Sequence, residues 1–146
     1  MISRSNYTII RLRDGTLMSS GNNRYGQLGL GDYAPRNLFC EIKGIGKNTV
    51  EVKSGYLHTI IRLTNGTLMS CGCNESGQLG LGDNLNRFSY EEIRGIPKNI
   101  DEVVSGSFHS VVALTDKTLM SCGFNSYGQL GLGDNIPRNI FSVIKI

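Results

Sequence analysis

Apolar and polar residues alternate along this chain in short runs of about five, and no stretch follows the 3.6-residue period of an amphipathic helix. Thr8-Ile9-Ile10-Arg11-Leu12 and Thr16-Leu17-Met18-Ser19-Ser20 flank Arg13-Asp14-Gly15, while Thr59–Leu63 and Thr67–Cys71 flank Thr64-Asn65-Gly66. Asp-Gly or Asn-Gly between two β-rich runs predicts a hairpin with a type I′ turn, which needs positive φ at both central residues. The third copy has Asp116-Lys117 there, and a lysine forced into the left-handed region costs roughly 1 kcal/mol unless the turn changes type. A further short strand is expected at Phe39–Lys43, Tyr90–Arg94 and Phe141–Lys145, and another before the hairpins at Val50–Lys53 and Ile100–Val104.

These runs belong to a repeat. Gly21-Asn22-Asn23-Arg24-Tyr25-Gly26-Gln27-Leu28-Gly29-Leu30-Gly31-Asp32 returns at Gly72–Asp83 and again at Gly123–Asp134, offset by 51 residues both times without insertion. Residues 54–95 and 105–146 share 22 identities in 42 positions, far beyond coincidence. Four short strands in each period of about 50 residues is the pattern of a β-propeller blade. The fold class is therefore all-β: three four-stranded blades in one repeat domain, with repeats at about 1–49, 50–100 and 101–146. Residues 1–7 align with 52–58, so the strand equivalent to Val50–Lys53 is nearly absent from the first blade, leaving eleven strands. Aligned glycines (Gly26, Gly29, Gly31; Gly77, Gly80, Gly82; Gly128, Gly131, Gly133) mark close turns and tight backbone approach, where a Cβ has no room. Gln27, Gln78 and Gln129 share the motif and are read as structural.

Composition narrows the class further. With 146 residues, 15 Lys+Arg against 12 Asp+Glu and a net charge of +3, the chain is neither a polycation nor a charged disordered tail. No run approaches the ~18–20 apolar residues of a membrane span, and residues 1–8 have no apolar signal core, so an intracellular setting without membrane contact is expected. Gly is the outlier, 19 of 146 against a typical ~7%. Cys40, Cys71, Cys73 and Cys122 are too few and too unevenly spaced for a disulfide framework. Cys71-Gly72-Cys73 lacks the second pair that a zinc site would need, so buried thiols are expected.

The repeats resemble the regulator of chromosome condensation family. The resemblance rests on Ser54-Gly55-Tyr56-Leu57-His58-Thr59, on Ser105-Gly106-Ser107-Phe108-His109-Ser110 and on the three Gly-Gln-Leu-Gly-Leu-Gly-Asp stretches. It implies a propeller that normally closes with seven blades, which at this period would take about 357 residues. In the first repeat Arg4 and Tyr7 replace the motif glycine and histidine. The uniform spacing leaves no room for the protruding wedge that exchange factors of the family insert into a GTPase. The compact period with Gly-Thr-Leu-Met-Ser is also similar to repeats of large DNA viruses, which implies a virus-encoded chain. Three blades cannot close a ring, since closed propellers use about 4–8, and two exposed blade faces would leave large apolar patches. A homo-oligomer is therefore expected, two copies giving six blades. The remaining readings are an open arc on a partner and a segment of a longer propeller.

Few residues point to chemistry. His58 and His109 share one register and are read as buried or half-buried imidazoles that hydrogen-bond backbone and fix a strand end. Arg36, Arg87 and Arg138 recur four residues after Asp32, Asp83 and Asp134, and Lys43, Arg94 and Lys145 form a second basic series. Both series are candidate interaction residues for an acidic protein surface or for nucleic-acid phosphates, including a nucleosome. The competing reading of the arginines is an Asp–Arg brace on the loop. Gly26–Gly31 has G-x-x-G-x-G spacing with no helix after it, so it is not a phosphate loop, and no cofactor is implied. One carboxylate per blade gives no acid–base pair, so no catalytic residues are expected. The expected function is a non-enzymatic interaction scaffold built by self-assembly. The alternatives are a guanine-nucleotide exchange factor-like or chromatin-binding regulator of a Ran-like GTPase, and a structural component of a larger assembly.

Overall fold

The computed structural model describes residues 2–4 and 6–146, with side chains from residue 6 onward. The described residues form twelve strands: β1 (Ile2–Arg4), β2 (Tyr7–Arg11), β3 (Leu17–Gly21), β4 (Arg36–Glu41), β5 (Thr49–Ser54), β6 (His58–Leu63), β7 (Leu68–Gly72), β8 (Arg87–Glu92), β9 (Ile100–Ser105), β10 (His109–Leu114), β11 (Leu119–Gly123) and β12 (Arg138–Ile144). They form three antiparallel four-stranded meanders, β1-β2-β3-β4, β5-β6-β7-β8 and β9-β10-β11-β12. The expected count of eleven is corrected to twelve. β1 exists as a three-residue strand paired at Ile2↔Ile9, Ser3↔Thr8 and Arg4↔Tyr7, half the length of β5 and β9, so the first blade is shortened rather than short of a strand. The side chain of Arg4, at the register of the motif glycine, lies outside the described residues.

The sheets stand side by side as an open arc, with β1 approaching β5 and β5 approaching β9. Each outer strand begins at its arginine, three residues before the apolar run predicts. A register shift between Ser19 and Gly21, repeated in the other blades, lets Gly21, Gly72 and Gly123 pair with Arg36, Arg87 and Arg138. A bulge of this kind adds a residue to one strand and extends pairing past the hydrophobic run.

The hairpin turns differ from the type I′ expectation. Gly15 N–H donates to the Leu12 carbonyl at 3.0 Å and Leu12 N–H to the Thr16 carbonyl at 2.8 Å, closing a three-residue loop. Only its last residue is left-handed: Gly15 at φ +89°, Gly66 at +83° and Lys117 at +72°. This is a type I turn followed by a bulge residue, for which Asp14, Asn65 and Asp116 are suited because each side-chain oxygen accepts the amide of the threonine two residues on. Lys117→Gly is expected to raise stability by about 1 kcal/mol, read as an upward shift of the urea midpoint, by relieving the left-handed strain. An unmoved midpoint would show that the turn carries no such strain.

The apolar residues pack between sheets. Tyr7, Ile9, Leu17, Leu28 and Ile42 of the first blade meet Ile61, Cys71 and Tyr90 of the second. Ile60, Leu68 and Ile93 of the second meet Val112, Met120, Cys122 and Phe141 of the third. Because side chains alternate along a strand, each blade has one face toward the preceding blade, here the leading face, and one toward the following blade, the trailing face. β6 is buried on both. β2 buries Tyr7 and Ile9 and leaves Thr8 and Ile10 half-buried, while β10 buries Ser110, Val112 and Leu114 and leaves His109, Val111 and Ala113 half-buried.

Candidate interaction surfaces

The Gly-Gln-Leu-Gly-Leu-Gly-Asp stretch forms a tight loop between the third and fourth strands of each blade. Asn23, Asn74 and Asn125 are its internal posts. Each is fully buried, accepts the amide of Leu28, Leu79 or Leu130 at 3.0–3.1 Å, and donates to the carbonyl of Asp32, Asp83 or Asp134 at 2.9–3.0 Å. Ser19, Ser70 and Ser121 donate from the neighbouring strand to the same leucines' carbonyls at 2.8–3.0 Å. Gln27, Gln78 and Gln129 accept the amide two residues upstream. The strict 51-residue recurrence of Asn and Ser carried this signal, but a polar residue in a turn-rich stretch does not reveal that it points inward.

The loop fixes one basic series. Arg36, Arg87 and Arg138 pair with Asp32, Asp83 and Asp134 at 2.6–2.7 Å, and each also donates to the carbonyl two residues upstream at 2.6 Å. Arg87 reaches Glu91 at 2.9 Å as well. These guanidinium contacts, with the amides of Ala34, Leu85 and Ile136, hold the three carboxyl groups below the usual carboxylate range. Lys43, Arg94 and Lys145 are exposed beyond the far ends of the same outer strands. Arg36 and Lys43 line one cleft beside the outer strand of the first blade, and Arg138 and Lys145 line its equivalent on the third.

Two joints hold the blades together by the same set of contacts. Thr59 Oγ1 donates to the Gln27 carbonyl at 3.3 Å, and Ser110 Oγ, 51 residues on, donates to the Gln78 carbonyl at 2.8 Å. The Cys71 and Cys122 thiols sit 3.7 and 3.6 Å from those same carbonyls, and burial pushes both thiols up. Gly31 N–H donates to the Phe88 carbonyl and Gly82 N–H to the Asn139 carbonyl, both at 2.8 Å. Gly29 faces the Tyr90 ring and Gly80 the Phe141 ring so closely that a Cβ would stand 2.4 and 2.5 Å from them.

The histidine register also crosses the joints. His58, fully buried, places Nε2 3.1 Å from Ser110 Oγ of the next blade; the backbone partner expected from sequence is replaced by a side chain. Ser110 spends its proton on the Gln78 carbonyl, so Nε2 carries the imidazole hydrogen and Nδ1 is left without a donor. Burial holds its pKa at about 3. Tyr7, in the same register of the first blade, donates to the His58 carbonyl at 2.8 Å. His109 is half-buried on the third blade's trailing face, and its pKa is lowered by burial.

A cleft of about 620 Å³ opens on the loop side between the second and third blades, lined by Leu57, Phe108, His109, Phe124 and Tyr127 among others. Tyr127 is 87% exposed, with its ring 6.1 Å from that of Phe124. Among the described residues no group of three or more His, Cys, Asp or Glu side chains is arranged to hold a metal ion, and no helix is long and apolar enough to cross a membrane.

Three antiparallel meanders stacked by such joints define an unclosed β-propeller array. Models of the regulator of chromosome condensation (RCC1) repeat match residues 14–61 and 65–113 in one form, and 50–78 and 100–129 in another. The chain belongs to the RCC1 repeat family. It is similar to the ultraviolet-B receptor UVR8 of Arabidopsis thaliana, 32% identical over 134 residues, covering 90% of this chain and 30% of the receptor. It is also similar to the secretion-regulating guanine nucleotide exchange factor of Mus musculus, 38% identical over 126 residues, covering 80% of this chain and 26% of that protein. Among solved structures it matches Prp20p of Saccharomyces cerevisiae with a TM-score of 0.87 and 25% identity, over 99% of this chain and 37% of that one. The chain thus spans about a third or less of the length of these relatives.

Proposed function

We propose that this chain is a non-enzymatic interaction scaffold of the intracellular RCC1-repeat type, and that its first interaction is with itself. One observation carries the reading. The two end faces keep the residue types that are buried in the internal joints, yet stay partly exposed: Val111, Leu119 and Ile144 on the third blade stand where Ile9, Leu17 and Ile42 are buried on the first. Phe39 is 45% exposed where Tyr90 and Phe141 are buried. Faces of this kind drive association in water. The test is the solution mass as concentration is raised through the micromolar range. Growth beyond the 16.0 kDa chain mass supports self-assembly, and a constant chain mass refutes it.

A second reading, regulation of a small GTPase or binding to chromatin, is favoured by the likeness to a protein named as a guanine nucleotide exchange factor and to Prp20p, whose structure is described with its binding to Gsp1p and histones. Lys43, Arg94 and Lys145 would be its exposed contacts. Against exchange stands the uniform spacing, which offers no inserted loop to displace nucleotide. Accelerated nucleotide release from a Ran-like GTPase would establish this reading in place of the first.

A further inference from the structure

We infer that a second copy of this chain seats its first blade on the third blade of the first copy, in the register of the internal joints, with Gly128 as the point of closest approach. This rests on the self-assembly reading above and adds the joint itself. The internal joints show what each half must present. On the trailing side these are a histidine-register side chain, a Gln carbonyl, a glycine amide and a glycine over which a ring lies. The third blade presents His109, the Gln129 carbonyl, the Gly133 amide and Gly131. On the leading side the requirements are a hydroxyl or thiol donor, a backbone carbonyl at the start of the outer strand, and a ring. The first blade presents Ser20 in the register of Cys71 and Cys122, the Asn37 carbonyl in that of Phe88 and Asn139, and Phe39 in that of Tyr90 and Phe141.

The glycines show that the third blade keeps space for a neighbour. A Cβ at Gly26 would stand 2.4 Å from the Arg87 carbonyl oxygen and 2.6 Å from Phe88 Cα, and one at Gly77 would stand 2.5 Å from Asn139 Cα. At Gly128 the nearest atom is Asn135 Oδ1 at 3.6 Å, so the same gap stands open. In the docked pair it receives the backbone at Arg36–Asn37 of the second copy. The contact is heterologous, so one copy's trailing face meets the other's leading face, and two copies close when both joints form. Six blades turn about 60° each where seven turn about 51°, a change within the 4–8 blades that propellers accommodate.

The matched variants Gly128→Ala and Gly133→Ala test the joint. Both residues are left-handed, at φ +73° and +83°, so each alanine meets comparable backbone strain. Position 133 is open by internal analogy too, because a Cβ at Gly31 or Gly82 would meet nothing nearer than 3.8 Å. By sedimentation velocity, wild type and Gly133→Ala are expected at twice the chain mass, with Gly128→Ala at least about tenfold weaker in self-association. Phe39→Asp, on the opposite half and exposed within its own chain, is expected to reproduce the loss should Gly128→Ala fail to fold. A wild type that stays at the chain mass overturns both the joint and the self-assembly reading. A dimer indifferent to Gly128→Ala and Phe39→Asp overturns the joint alone, placing self-association on another face.

Discussion

Gly77→Ala is expected to destabilise the chain by at least about 3 kcal/mol, while Gly82→Ala, five residues away in the same loop, costs only about 1–2 kcal/mol. The two glycines share nearly the same left-handed conformation, φ +81° and +88°, so the strain of placing an L side chain there is common to both, roughly 1–2 kcal/mol. Their surroundings separate them. A Cβ at Gly82 would meet only Ile140 Cγ2 at 3.9 Å, an ordinary contact. A Cβ at Gly77 would stand 2.5 Å from Asn139 Cα and 2.6 Å from the Arg138 carbonyl oxygen. Those are backbone atoms of a paired strand, so relief requires the second and third blades to move apart. Their joint buries Val112, Cys122 and Phe141 against Ile60 and Leu68, and a domain's whole stability is about 5–15 kcal/mol. Urea unfolding of the two variants and wild type under one set of conditions measures the difference. Equal midpoints for Gly77→Ala and Gly82→Ala would mean that the joint yields without loss, and that the recurring glycine answers to backbone conformation alone.

The repeat was legible because each of its signals is local or periodic. The 51-residue offset, the Asp-Gly and Asn-Gly hairpins, and the strand runs at Thr59–Leu63 and Thr67–Cys71 lie within a residue of β6 and β7. The signal failed where a residue's meaning depends on another blade. Thr59 reads as an ordinary strand position and Ser110 as the end of the Ser-Gly-x-x-His motif, yet both donate across the joints. Asn23 lies in the glycine-rich stretch and Ser19 in a strand run, and neither position announces burial, yet both are fully buried. The apolar run marks each outer strand three residues late because Arg36, Asn37 and their equivalents join by a bulge that no hydrophobic pattern announces. β1 is illegible for a similar reason: Ile2–Arg4 holds too few residues to show alternation, and its pairing with β2 is what makes it a strand. The arginine series was legible in number but not in engagement, since only the folded loop brings each guanidinium onto its aspartate and the upstream carbonyl.

Acid is expected to loosen the chain as pH falls below about 6.5, through His58. In the fold this imidazole is neutral and fully enclosed, with its pKa held at about 3 by burial, whereas in the unfolded chain it titrates near 6.5. As pH falls below 6.5 the unfolded state takes up a proton that the folded state refuses, so stability falls with pH between about 6.5 and 3 and is indifferent to this group above 6.5. At pH 5 the accumulated loss relative to pH 8 comes to about 2 kcal/mol. His109, lowered by partial burial, acts in the same direction but less, because it reaches solvent on the open trailing face. Asp32, Asp83 and Asp134 titrate below their ordinary value of 3.8 in the fold, so the stability they contribute is lost at lower pH and does not mask the effect. His58→Gln provides the measurement. The amide can still donate to Ser110 but carries no proton equilibrium, so the variant should be weaker at pH 8 while its stability between pH 6.5 and 5 flattens to the residual slope of His109. Should wild type and His58→Gln lose stability in parallel across that interval, the imidazole charges inside the fold, and the joint between the second and third blades opens to water more readily than its burial implies.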